Sequence, residues 1–90
     1  MKIENMKSKK GNPVPNQFII FTPKATFFQS YKTMIVKTTF ENGERIVLLD
    51  KNYWNCSKTT SKYRNLFLNK TTNEIETCIK TGVYKLVNLN

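Results

Sequence analysis

Ninety residues give room for one small hydrophobic core and exclude a second domain. Hydrophobic residues make up 39% of the chain, including six Phe, four Tyr and one Trp, which excludes disorder over most of its length. Fifteen Lys and Arg against six Asp and Glu leave a net charge of +9, the wrong sign for a nucleic-acid mimic and the right one for a polyanion partner.

Residues 1–16 read as a flexible basic arm and residues 17–90 as a single compact domain. Lys2, Lys7, Lys9 and Lys10 alternate with polar residues, and GNPVPN follows. Two prolines one residue apart favour an extended, PPII-like connector rather than a helix or central strand. Such an arm can lie along a phosphate backbone. It opens with no apolar leader core, so the cytoplasm is the expected compartment, with Cys56 and Cys78 reduced.

QFIIFT (17–22) and ATFFQSY (25–31) are short β runs joined by TPKA, which predicts a hairpin. TMIVKTTF (33–40) and ERIVLLD (44–50) flank Asn42-Gly43, the pair favoured by a two-residue type I′ turn. That turn sets Glu41 opposite Glu44, Phe40 opposite Arg45, Thr38 opposite Val47 and Val36 opposite Leu49. Strand alternation then puts Met34, Val36, Val47 and Leu49 on one face, with Ile35, Ile46 and Leu48 on the other.

From residue 51 to 73 the chain carries no carboxylate. Thr59 or Thr60 is a suitable N-cap for a helix over about 61–69. Tyr63, Leu66 and Phe67 form its inward stripe, and Lys58, Lys62, Asn65 and Asn69 its outward row, with Arg64 between. Thr71 and Glu74 are spaced as a capping box for a second helix bearing Ile75, Cys78 and Ile79, which stops at Gly82. VYKLVNL (83–89) is a final strand. The expected fold is α+β: an antiparallel sheet of about four to five strands with two short helices packed on one face.

Catalysis is hard to assemble from this inventory. There is no histidine to serve a Ser or Cys nucleophile, no close pair of carboxylates and no Gly-rich phosphate loop. No enzyme, metal or cofactor is expected, and no membrane span.

Binding is easier to build. Lys58, Lys62, Arg64 and Lys70 are the candidate phosphate contacts, Asn65 and Asn69 the polar contacts beside them, and Lys9 and Lys10 the electrostatic supplement. Tyr53 and Trp54, where the sheet hands over to the helix, are candidate aromatic contacts. The same residues also read as a solvated helix face and a lid over the core. Thirteen Lys against two Arg fits an AT-rich coding bias as well as a polyanion site.

The strings NQFII, FFQSY, LDKNYW, TTSKYRN with FL, and YKLVNLN, spread over about residues 12–90, resemble a small family encoded by phages and prophages of low-GC Gram-positive bacteria. That family has no assigned activity, so the resemblance transfers no site residue. It implies a small, non-structural intracellular phage protein. Such proteins often bind nucleic acid or obstruct a host enzyme, defence nucleases included.

The leading expectation is therefore a non-enzymatic nucleic-acid binder of weak sequence specificity, whose log affinity falls against log salt with a slope of about −5. The alternative is a phage inhibitor of a host defence enzyme (anti-CRISPR-like), which binds a host protein or a protein–RNA complex. A third reading is a homodimer that pairs through a sheet edge.

Overall fold

The computed structural model describes all residues, Met1–Asn90. Strands β1 (Lys2–Lys7), β2 (Pro13–Phe21), β3 (Ala25–Ser30), β4 (Thr33–Glu41) and β5 (Glu44–Asp50) precede helices α1 (Lys58–Leu68) and α2 (Thr72–Lys80), and β6 (Tyr84–Val87) closes the order. The class is α+β, as expected, but the sheet has six strands and is mixed. β1 to β5 form an antiparallel meander in sequence order, and β6 lies parallel to β5 at the edge. Because α1 and α2 lie between β5 and β6, they form the crossover that a parallel pair requires. No helix is long and apolar enough to cross a membrane.

The Asn42-Gly43 turn has positive φ at both residues, 51° and 82°, which matches a type I′ turn. All four cross-strand pairs expected from it are present, from Glu41–Glu44 to Val36–Leu49. The face assignment needs two corrections: Ile35 leaves the face of Ile46 and Leu48, and Met34 joins it. Phe28 pairs with Val36 and Gln29 with Met34, so Ile35 is the extra residue of a bulge and is buried beside Val36.

The stretch expected as a flexible basic arm holds a strand and the start of another. Lys2–Phe21 through Asn5–Phe18 are regular pairs, and Lys7 meets Pro13 after a shift in register. The prolines are tolerated because β2 pairs with β3 only from Gln17 onward, which leaves Pro13 and Pro15 in a two-stranded ribbon. At the shift, Asn16 takes a left-handed φ of 66° and its carbonyl accepts from the N–H of Tyr31, itself at φ 57°. This bend brings Met6 and Val14 onto the core.

The core joins Phe28, Ile35, Val36, Val47 and Leu49 of the sheet to Tyr63, Leu68, Ile75 and Tyr84. Full burial of each such side chain is worth about 1.5–3 kcal/mol. Phe67 stacks on Phe28 with ring centroids 5.8 Å apart and fastens α1 to β3. Helix α1 starts earlier than the sequence suggests, because Ser57 rather than Thr59 or Thr60 is its N-cap and accepts from the Thr60 N–H at 3.1 Å. The Thr60 hydroxyl is engaged elsewhere, 2.8 Å from the Ser30 hydroxyl in the interior. The inward set is Thr60, Tyr63, Arg64, Phe67 and Leu68, whereas Leu66 is 54% exposed. Helix α2 has the expected capping box between Thr71 and Glu74, and Gly82 follows its C-cap at φ 81°.

Candidate nucleic-acid interface

The outward side of α1 forms one wall of an open groove of about 600 Å³. Lys62, Asn65 and Leu66 line that wall, and Asn69, Lys70 and Glu74 line the turn into α2. Ser8 and Lys9 close the other side from the β1–β2 loop. The groove exists because the β1–β2 ribbon bends toward the helices, so Lys9 meets side chains more than fifty positions away in the chain.

Five of the residues singled out from sequence therefore converge: Lys9, Lys62, Asn65, Asn69 and Lys70. Lys10 and Lys58 are exposed but do not line the groove. Asn69 also has a structural task, as the left-handed C-cap of α1 at φ 55°. Tyr53 is 43% exposed, while Trp54 is half-buried against the core.

Arg64 departs from expectation altogether. It is fully buried, and its three guanidinium nitrogens make five hydrogen bonds, one for each N–H. Nη1 donates to the Trp54 carbonyl at 2.5 Å and to Asn55 Oδ1 at 3.2 Å. Nη2 donates to Asn65 Oδ1 at 2.8 Å and to Thr72 Oγ1 at 3.0 Å, and Nε to Asn65 Oδ1 at 3.1 Å. None of these acceptors is a carboxylate. Burial pushes the guanidinium below its ordinary pKa. Arg64 thus touches no ligand; it ties the loop after β5, α1 and the start of α2 together behind the groove.

That network decides what the groove presents. Because a guanidinium only donates, the oxygen of Asn65 must face Arg64 and its Nδ2 must donate, at 3.1 Å to Thr72 Oγ1. The remaining N–H of Asn65 is then a donor available to the groove. Around it stand three lysines, and the one carboxylate, Glu74, accepts from the Thr71 N–H at 2.9 Å in the capping box. The hydrogen bonds from the backbone and side chain of Thr71 hold the Glu74 carboxyl below its ordinary pKa. The only ion pair in the molecule is Lys2–Glu4 at 2.9 Å, so none of the groove lysines is neutralised by a salt bridge. Leu66 adds an apolar surface that sequence periodicity assigns to the core.

A second buried charge fixes the sheet's far end. Asp50 is fully buried; Oδ1 accepts from the Leu89 N–H at 2.8 Å, and Oδ2 from Asn52 and Tyr53 at 3.1 and 3.0 Å. Burial alone would raise its pKa, but these bonds hold the carboxyl below its ordinary value.

The chain belongs to a family of unknown function, DUF8033, whose model matches residues 1–82, a span that includes the β1–β2 loop and both helices. No curated protein and no solved structure matches it.

Proposed function

We propose that this member of the family is a non-enzymatic nucleic-acid-binding protein that seats a phosphate backbone in the α1 groove with weak sequence specificity. The observation that carries this reading is the meeting of Lys9 with Lys62 and Lys70 across a groove whose single carboxylate is engaged in a helix cap. Lysine ammonium groups and an amide donor suit phosphate oxygens and distinguish bases poorly. Lys10 and Lys58 extend the field beyond the groove. The resemblance to phage and prophage proteins of low-GC Gram-positive bacteria supports a setting in the host cytoplasm, where nucleic acid is the abundant polyanion.

The test is a titration of labelled single- and double-stranded oligonucleotides over a range of salt. Three lining lysines with Lys10 and Lys58 nearby predict a log–log slope between about −3 and −5. A flat salt dependence, or no binding to either form at low salt, rejects the reading.

The rival is a protein-binding inhibitor of a host defence enzyme, favoured by the half-buried Ile20, Phe27, Ile46 and Leu48, which share the sheet face opposite the core. A pull-down from host lysate with and without nuclease separates the two. Loss of every partner on nuclease treatment supports the groove, and a stoichiometric protein that survives it supports the rival.

A further inference from the structure

The α1 groove holds one feature that phosphate does not need. Among the residues that line it, only Tyr63 and Leu66 are hydrophobic. Tyr63 is buried, with the Lys62 Nζ 5.4 Å from its ring centroid. Leu66 is 54% exposed, the only exposed large apolar side chain on either helix. Lys62, Asn65, Leu66 and Asn69 follow one another at helical spacing along one stripe, and Lys9 faces them from the β1–β2 loop. The apolar spot is thus ringed by ammonium and amide groups.

We propose that the nucleic acid this groove takes is a single strand, with one unstacked base laid on Leu66 while Lys9, Lys62 and Lys70 hold the phosphates beside it. The inference rests on the phosphate-binding reading above and adds the form of the nucleic acid.

The geometry disfavours a duplex. In a duplex the base faces are stacked on one another, and only base edges reach the grooves. Reading those edges requires α1 to enter the major groove, but Ser8 and Lys9 stand opposite its outward side and block that approach. A space of about 600 Å³ is also that of a small-ligand pocket, large enough for a base and its phosphates. A duplex would bring only a sugar–phosphate ridge to this groove and would leave Leu66 without a base.

A single strand can turn its bases outward, and every base has an apolar face to lay on Leu66. Asn65 adds a donor of fixed orientation. Its oxygen accepts from Arg64 and one N–H goes to Thr72, so reversing the amide would set its NH₂ against the guanidinium. Every base carries a ring nitrogen or carbonyl oxygen that accepts from the remaining N–H. Sequence preference therefore stays weak, while the preference for unpaired bases is strong.

Three ligands with the same number of phosphates test this: a labelled strand of about twelve thymidines, a hairpin duplex, and an abasic strand. Phosphate contact alone gives the thymidine strand no advantage, because the duplex has the higher charge density. The thymidine strand should bind about tenfold or more tighter than either of the others. L66A should weaken that strand about fivefold, leave the other two within about twofold, and keep the salt slope of the parent. K62Q should instead make the slope shallower by about one unit. L66F, which offers a flat ring, should bind the thymidine strand at least as tightly as the parent, and thermal melts confirm that the variants are folded. Equal affinity for the three ligands, or an L66A variant that binds the strand like the parent, overturns the single-strand proposal and leaves phosphate binding standing. Failure to bind any of the three overturns both.

Discussion

Arg64 lies over the Trp54 ring, with its guanidinium carbon 5.3 Å from the centroid, and donates to the Trp54 backbone carbonyl at 2.5 Å. One side chain thus holds another by its ring face and its main chain together. The ring supplies electron density to a buried cation that has no carboxylate of its own. Trp54 therefore reads better as part of the scaffold behind the groove than as a stacking platform for bases.

Replacing this arginine should cost more than a surface lysine ever could. R64M leaves the Trp54 carbonyl and Asn65 Oδ1 without a donor, while Asn55 Oδ1 keeps Ser61 and Thr72 Oγ1 keeps Asn65, and about 3 kcal/mol of stability should be lost. R64K keeps the charge but not the planar fork, and should fare nearly as badly. Thermal melts should fall by more than about 10 °C for both variants.

Asn65→Asp is expected to act with opposite signs on stability and on binding. A carboxylate at Asn65 gives the buried guanidinium a counter-charge and should raise the melting temperature. The same charge faces the groove and should weaken oligonucleotide binding at low salt several-fold. A variant that loses both properties would refute the placement of Asn65 between Arg64 and the groove.

Single neutral substitutions at Lys9, Lys62 or Lys70 should weaken binding of all sequences alike. Each should make the log–log salt slope shallower by about one unit while leaving the melting temperature within about 2 °C. K80Q, on α2 and outside the groove, is the control and should change neither. Binding isotherms at four or five salt concentrations suffice.

Asp50 governs the acid limb of stability. Its folded carboxyl titrates below the ordinary value of 3.8 that the unfolded chain should show. The carboxylate therefore stabilises the fold fully above that value, and the contribution disappears as pH falls through the lower, folded one. D50N should lose about 1–3 kcal/mol at neutral pH, since an amide cannot accept from Leu89, Asn52 and Tyr53 together. Its stability should also vary less with pH in the acid range, which denaturant melts at several pH values will show.

Gln17 is fully buried, and neither atom of its amide has a hydrogen-bond partner in the protein. An unpaired buried amide costs about 1–3 kcal/mol. Q17M, of similar length and apolar, should raise stability by about 1 kcal/mol in urea melts.

The meander was the legible part of the fold, because Asn42-Gly43 fixes a turn type and the turn fixes every pair beyond it. The bulge at Ile35 was not legible, since nothing local marks an extra residue that only pairing with β3 reveals. Helix α1 was misread for one reason: its inward stripe contains an arginine, and Leu66 next to it was the better hydrophobic candidate by composition. An apolar face that buries a cation through neutral acceptors leaves no periodic signal. The arm was misread because prolines forbid only a fully paired strand, and β2 is paired on one side at that point. Lys62, Asn65, Asn69 and Lys70 could be grouped by helical spacing, but their meeting with Lys9 depends on the bend at Asn16 and Tyr31.

Strand β6 joins the sheet only after the chain has passed through both helices, residues 51–83, whereas every other pairing closes over a short loop. Closure of a short loop costs less entropy, so β1 to β5 can assemble while the rest of the chain is still open. Pulse-labelled hydrogen exchange should find the amides of β3 to β5 protected before those of α1 and β6. The two sides of the molecule would then differ in age during folding. Until the helices dock, Phe28, Val36, Val47 and Leu49 stand uncovered, so refolding at high protein concentration should lose material to aggregation through that face.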